Sequence, residues 1–250
     1  MSQFEENLVL VELTGVSKYY PDGDVLALRE VDLVIQEGDF LTVVGPSGCG
    51  KSTLLQILGA LDLPTHGEVL FRGQSIRRCN LNQLRSQRIG FVFQSFYLLP
   101  NLTALENVQL PMFGGRLSAA ERSEEARRLL DLVGLEQRLH HLPNQLSVGQ
   151  RQRVAIARAI ANCPEIILAD EPTGSLDSAS SREVIELLVQ LNHQQKTALV
   201  VVTHDASIAQ RGRRRIQMLD GAIVDDVRQS AIQQSQSLIH DWKAETSERG

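Results

Sequence analysis

Gly45-Pro-Ser-Gly-Cys-Gly-Lys-Ser-Thr53 decides how this chain is read. From Gly45 to Ser52 it follows Gly-x-x-x-x-Gly-Lys-Ser, the pattern of a loop that wraps phosphate groups. The preceding residues, Phe40-Leu-Thr-Val-Val44, form an apolar β-branched run that predicts a buried strand. The following residues, Thr53-Leu-Leu-Gln-Ile-Leu58, predict the first turns of a helix. Gly45, Gly48 and Gly50 allow the backbone to curl so that its N–H groups converge on one anion. The loop residues Ser47 and Cys49 and the helix-opening Thr53 contribute N–H groups to the same cradle, Pro46, which has no N–H, lines it, and the helix dipole adds positive potential. Lys51 is placed to bridge the β- and γ-phosphates of a nucleotide, and Ser52 to offer its hydroxyl to Mg²⁺.

The chain has 250 residues, a length that suits one large domain or a core with an attached subdomain. It is 42 % hydrophobic, enough for a substantial core, and its net charge of −5 gives no reason to expect a nucleic-acid partner. Cys49, Cys79 and Cys163 have neither metal-ligand spacing nor an even count, which fits a reducing compartment. Cys49, beside Lys51 and a helix N-terminus, reads either as a small residue at a tolerant loop position or as a reactive thiol that a nucleotide protects. The opening Met1-Ser-Gln-Phe-Glu-Glu6 lacks a signal pattern, and no stretch approaches the length of a membrane span, so membrane work would need a partner.

Further strands are predicted at Leu8-Val-Leu-Val-Glu-Leu13, Val31-Asp-Leu-Val-Ile35, Glu68-Val-Leu-Phe71, Arg88-Ile-Gly-Phe-Val-Phe93, Glu165-Ile-Ile-Leu-Ala169 and Ala198-Leu-Val-Val-Val-Thr203. Tyr19-Tyr-Pro-Asp-Gly23 reads as a turn. Between about residues 98 and 161 the period becomes helical. Ser118-Ala-Ala-Glu121 is a capping box, and a helix spans about 150–161. Val184, Leu187, Leu188 and Leu191 mark another helix, capped by Asp177 or Ser178. Residues 229–250 are polar and rich in Gln and Ser, with a short helix expected around 238–242. The alternation predicts a parallel sheet with an inserted helical subdomain.

Other positions gain meaning from the phosphate loop. A ligand in such a sheet lies beyond the carboxyl ends of the strands. Asp170 and Glu171 end one strand, where Asp170 can hold Mg²⁺ and Glu171 can polarise an attacking water. His204 follows another strand, where a phosphate contact competes with a plain surface role. Gln94 ends a third and can reach Mg²⁺ or orient water through its carbonyl oxygen. Tyr20 is a candidate to stack on adenine, with Tyr19 as its competitor. Leu146-Ser-Val-Gly-Gln150 opens a helix, and Ser147, Gly149 and Gln150 stand where a helix N-terminus binds anions. Two chains meeting face to face could clamp one phosphate group from both sides. A valine at positive φ would be strained, so Val148 is expected at negative φ.

Taken in order, these residues resemble an ATP-binding-cassette (ABC) ATPase over about residues 8–224. The similarity rests on the P-loop, Gln94 as Q-loop, residues 146–150 as signature, Asp170-Glu171 as Walker B, Ser175-Leu-Asp177 as D-loop and His204 as switch histidine. Val148 departs from the family pattern, which has Gly. The resemblance implies an α/β fold: a RecA-like P-loop NTPase parallel-sheet core, an N-terminal antiparallel β subdomain and an inserted α-helical subdomain at about 95–161. The cassette would span 1–228, followed by the tail. It also implies a head-to-tail dimer sandwiching ATP and Mg²⁺, with Ser147, Gly149, Gln150 and Asp177 facing the partner chain's nucleotide, Glu171 as catalytic base and His204 supporting the γ-phosphate. The stretch Phe91-Val-Phe-Gln-Ser-Phe-Tyr-Leu-Leu-Pro100, with Thr103-Ala-Leu-Glu-Asn-Val108 and Pro111-Met112, is similar to the ATPases of lipoprotein-releasing and macrolide-exporter-type transporters. In that group dimer closure is passed to a membrane permease as mechanical work, at the cytoplasmic face of the membrane. Residues 94–112, rich in Phe96, Tyr97, Leu98, Leu99 and Leu102, are the expected docking surface. Two other roles remain open: a soluble protein acting on nucleic acid or ribosomes, and a structural subunit coupling a permease to cell-division or wall enzymes. The absence of a second cassette or sustained heptads weighs against the first.

Overall fold

The computed structural model describes residues 8–228, so the helix expected around 238–242 lies outside the described residues. Two sheets form the frame. The first is antiparallel, in the order β2-β1-β4-β5, from β1 (Val9–Tyr20), β2 (Val25–Gln36), β4 (His66–Phe71) and β5 (Gln74–Ser75). The second has the order β10-β9-β3-β8-β7-β6, from β3 (Phe40–Val44), β6 (Ile89–Phe93), β7 (Ile166–Asp170), β8 (Ala198–Val202), β9 (Arg214–Leu219) and β10 (Ala222–Arg228). All its neighbours are parallel except the β9–β10 hairpin.

The central strands are buried on both faces, which explains their unbroken apolar runs. Ile166 and Leu168 of β7 join one core with Leu41, Val43, Val200 and Val202, while Ile167 and Ala169 join the other with Phe40, Leu199 and Val201. The first core also holds α1 (Lys51–Leu58) and the inner face of the antiparallel sheet. The second holds the helices α3 (Ala104–Gln109), α4 (Ala119–Leu132) and α5 (Val148–Ala159), which lie between β6 and β7 in sequence, and α6 (Ser178–Gln195). Two shorter helices, α2 (Leu81–Arg88) and α7 (Ala206–Ala209), complete the set. The chain is therefore a P-loop α/β core carrying an antiparallel β subdomain and an inserted helical one.

Capping chemistry sets the helix starts. Ser118 and Glu121 form a reciprocal capping box on α4, as do Thr103 and Glu106 on α3 and Ser147 and Gln150 on α5. On α6 the cap is Asp177, not Ser178, its carboxylate accepting from the N–H groups of Ala179 and Ser180. The buried Asn107 amide donates to the carbonyls of Leu99, Leu102 and Thr103 and accepts from the Leu99 N–H, so one side chain organises the loop after β6.

Several local expectations are corrected. Tyr19 and Tyr20 end strand β1, and the turn is confined to Pro21–Gly23. Pairing along β2 extends the first strand past the hydrophobic stretch that predicted it. Helix α5 begins at Val148, because Ser147 supplies its cap, and stops at Ala159, where Ile160 leaves the helical conformation. Helix α2 and strands β5, β9 and β10 carried no expectation.

Candidate functional site

The loop between β3 and α1 is shaped by close approach. Gly45 has φ +155°, and a Cβ there would collide with the Met218 carbonyl and sit 2.7 Å from Cys49 Sγ. Gly50, at φ +102°, would drive a Cβ into the Ala27 carbonyl. The β9–β10 turn braces the loop from outside: the Gly221 N–H donates to the Cys49 carbonyl at 3.1 Å, and the Gly221 carbonyl accepts from Arg29 N–H at 2.9 Å. The Lys51 ammonium donates to the carbonyls of Gly45 and Pro46, both at 2.8 Å. The Cys49 side chain is only 4 % exposed, packed inside the loop 3.9 Å from Lys51 Nζ. That burial corrects the expectation of a reactive thiol, since reaction needs access.

Parallel pairing brings the ends of β7 and β8 to the same edge as the loop. The Ser52 hydroxyl lies 3.5 Å from Asp170 Oδ1. Burial raises the Asp170 carboxyl above the usual aspartate range and the Glu171 charge adds to this, while the Ser52 hydrogen bond and Lys51 pull it down. Glu171 takes φ +46°, a conformation that costs a non-glycine residue about 1–2 kcal/mol. Its N–H is fixed to the Val202 carbonyl at 3.0 Å and its carbonyl accepts from Gly174 N–H at 3.1 Å. The carboxylate then accepts from His204 Nδ1 at 2.8 Å. That hydrogen bond, and next the Glu171 charge, raise the His204 pKa above its ordinary value. Glu171, His204 and Gly174 line a cleft of about 570 Å³ that continues over Ser178 and Ser181.

Gln94 follows β6, the neighbour of β7, and its exposed side chain rests against Gly174, where a Cβ would stand 2.8 Å from Gln94 Nε2. Tyr20 is half-buried beside the loop. Its hydroxyl donates to Asp62 at 3.0 Å, Lys18 lies 4.9 Å from its ring centre, and burial first, then the Asp62 hydrogen bond, raise its pKa against an opposing hydrogen bond with Thr53. Tyr19 is held by Asp24 at 2.9 Å. Asp170 thus reaches the loop directly at Ser52, Glu171 and His204 pair next to it, Gln94 adjoins Gly174, which is hydrogen-bonded to the Glu171 carbonyl, and Tyr20 stands on the Thr53 side.

Ser147, Gly149, Gln150 and Asp177 form a second group where the N-termini of α5 and α6 meet. A Cβ on Gly149 would lie 2.9 Å from Ser180 Oγ, and Ser180 Oγ donates to Asp177 Oδ2 at 2.8 Å. Val148 is the first helical residue, with negative φ as expected, and is 37 % exposed. Sequence reasoning passed over Gln152, fully buried in α5, whose amide donates to the Pro172 carbonyl at 2.6 Å next to Glu171. It also passed over Gly174 and the β9–β10 turn. A Gln on the otherwise apolar inward face of α5 was the available signal for the first; the others have only long-range partners.

Mg²⁺ is a hard cation that keeps several waters and takes one or two protein oxygens. The Ser52 hydroxyl and the Asp170 carboxylate, one beside the other at the loop, are a donor set of that kind. The glycine contacts that leave no room for a Cβ fit a phosphate held by backbone N–H groups.

Residues 28–174 match the ABC transporter family. The chain belongs to it. It is 53 % identical over 219 residues to an uncharacterized ABC transporter ATP-binding protein of Thermotoga maritima, covering 86 % of this chain and 93 % of that one. A macrolide export ATP-binding/permease protein of Hyphomonas neptunium is 47 % identical over 222 residues, covering 87 % of this chain and 34 % of that protein. The chain thus spans about a third of the length of that relative. Among solved structures, an ATP-binding cassette captured as a dimer in a post-hydrolysis state with ADP and phosphate superposes with a TM-score of 0.81 at 46 % identity, covering 88 % of this chain and 98 % of that one. The cassette cbiO1 of Clostridium perfringens, part of a cbiONQ transporter complex, gives 0.82 at 26 % identity, covering 94 % of each. No helix among the described residues of this ABC protein is long and apolar enough to cross a membrane.

Proposed function

We propose that this ABC protein is the ATP-binding and ATP-hydrolysing subunit of a transporter, closing as a head-to-tail dimer on a permease at the cytoplasmic face of the membrane. The observation that carries the reading is the convergence of Ser52 on Asp170, and of His204 on Glu171, at the mouth of one glycine-lined loop. Lys51 leaves its loop carbonyls for the β- and γ-phosphates, and the loop N–H groups hold the rest of the triphosphate. Ser52 and Asp170, with Gln94, are the residues to hold Mg²⁺, which when bound neutralises charge on the phosphate oxygens. Glu171 takes the proton of the attacking water, and His204 supports the γ-phosphate and holds the Glu171 carboxylate in place. Tyr20 stacks on the adenine. Ser147 and Gly149 of the partner chain bring a helix N-terminus to the γ-phosphate, with Asp177 beside them.

We divide the chain into a cassette at 1–228, its helical insertion at about 95–161, and a tail at 229–250. The likeness to macrolide export proteins supports a permease partner and the export, lipoprotein-release or mechanical-coupling group. The docking surface is narrower than the whole of 94–112. Ala104, Leu105, Val108 and Met112 are buried, while Tyr97 and Leu99 are exposed and Phe96, Leu98 and Leu102 are half-buried. The test has two parts. Lys51→Ala should abolish ATP binding, and a pull-down from detergent extract should recover a multi-pass membrane protein. Wild-type ATP affinity in the variant overturns the site; recovery of ribosomes or nucleic acid alone overturns the transporter role.

A further inference from the structure

Helix α5, which presents Ser147 at its N-terminus, also grips the segment that follows Gln94. The Arg151 guanidinium lies over the Phe96 ring, 5.4 Å from its centre. Two turns along the same helix face, Arg158 donates from Nη1 to the Tyr97 carbonyl and from Nη2 to the Phe96 carbonyl, each at 2.6 Å. Those carbonyls belong to consecutive bulky residues in the left-handed region, Phe96 at φ +58° and Tyr97 at φ +46°. The Tyr97 N–H folds back on the Ser95 carbonyl at 2.6 Å, and the Phe96 N–H reaches the Phe93 carbonyl at 3.2 Å. The Tyr97 ring meets the Phe93 ring edge-on, with centres 5.2 Å apart. Such a turn is not what Phe and Tyr adopt unaided; surrounding contacts must impose it. Its contacts to α5 come from a planar fork that satisfies both carbonyls at once, and a single ammonium does not reproduce that geometry. Burial lowers the Arg158 pKa, yet a guanidinium remains charged at any physiological pH.

We infer that Arg158, seconded by Arg151, is a positioning residue for Gln94, locking residues 95–97 to α5 so that Gln94 takes its place against Gly174 only when α5 is in register. The inference rests on the role of Gln94 proposed above. A displacement at the Ser147 end of the helix is then delivered, through its other end, to the Gln94 of the same chain. Each chain's helix thereby links the nucleotide of its partner to its own Mg²⁺-side residue.

The test compares Arg158→Lys and Arg151→Leu with the wild-type full chain. Hydrogen exchange on the nucleotide-free protein should show the Phe96 and Tyr97 amides exchanging at least about tenfold faster in both variants, while β7 and β8 amides are unchanged. In the complex with its permease, Arg158→Lys should lower kcat by roughly 10- to 100-fold with KM for ATP held, the size of loss that misplacing a positioned group causes. Added to Gln94→Ala, Arg158→Lys should cost nothing further, because both changes remove one function. Unchanged exchange at Phe96 and Tyr97 overturns the clamp whatever Gln94 does. Additive losses in kcat overturn the route through Gln94. A Gln94→Ala variant with normal kcat overturns the proposed role of Gln94 and the catalytic half of the inference, while the exchange result still judges the clamp.

Discussion

The His204 imidazole and the Glu171 carboxylate face each other at 2.8 Å, one carried by the end of β8 and the other by a left-handed residue after β7. The histidine side chain is 76 % exposed and the glutamate only 19 %, so the pair has a wet partner and a sheltered one. This asymmetry makes His204 the reporter of the pair. Its pKa is raised by the Glu171 hydrogen bond first and by the Glu171 charge second. Glu171→Gln should therefore lower the His204 midpoint, and proton-detected NMR titration of the imidazole measures it. A midpoint that stays put would mean that the contact does not persist in solution.

Glu171→Gln should also preserve ATP binding and slow hydrolysis by about 10²–10⁴, the range for a lost general base. Trapped ATP should then hold two chains together. The measurement is turnover together with dimer mass, made on the full complex with its permease. Wild-type turnover, or a chain that stays monomeric with ATP there, contradicts the role of Glu171.

Val148 costs little where it stands. It occupies the first helical position at negative φ, so replacing it with glycine relieves no strain. Val148→Gly should change ATPase activity only modestly. Ser147→Arg removes the cap and fills the helix N-terminus with a cation, and should bring activity near zero. Phosphate release assays on both variants decide the matter.

Gly149 is a matter of space. Adding a methyl there meets Ser180 Oγ at 2.9 Å and Ser180 Cβ at 3.1 Å, and Asp177 holds that hydroxyl in place. Gly149→Ala should push α5 and α6 apart and reduce activity. Ser180→Gly in the same chain should restore much of it, since it removes both colliding atoms. If the second change gives no recovery, the loss has another origin.

Arg214 and Asp226 join β9 to β10 through two hydrogen bonds at 2.6 and 2.7 Å. The Arg214 hydrogen bond comes first in holding the Asp226 pKa below its ordinary value of 3.8. A depressed carboxylate stabilises the fold fully above its unfolded pKa, and that contribution is lost as pH falls through the lower folded value. Asp226→Asn should thus be less stable than wild type at neutral pH and should show a smaller fall in melting temperature below about pH 4. Calorimetry across that acid range is the check.

Most of the frame, and the loop between β3 and α1, were legible because their signals are local. The bounds of β3 follow from one apolar run, α4 from Ser118 and Glu121, and the loop between β3 and α1 from its glycines. What escaped depends on distant partners. Strand β9 starts with Arg214, which reads as surface but is 9 % exposed, because Asp226 and the Val34 carbonyl satisfy it. The burial of Cys49 depends on how the loop folds over it, and nothing in its neighbours' chemistry announces that. Tyr19 and Tyr20 read as a turn beside Pro21, yet β1 and β2 pair right up to Tyr20 and Val25.

The brace that Gly221 and Met218 give the phosphate loop has a bearing on biogenesis. Strand β3 lies between β8 and β9, both encoded more than 150 residues after it. While the chain is being synthesised, residues 45–53 emerge early but lack the strands and the hairpin turn that define their shape. At about 5–20 residues per second, roughly 10–30 s separate the two on the ribosome. Nascent chains halted before β9 should bind no nucleotide, so newly made protein should hold no ATP until the hairpin has closed over that early loop.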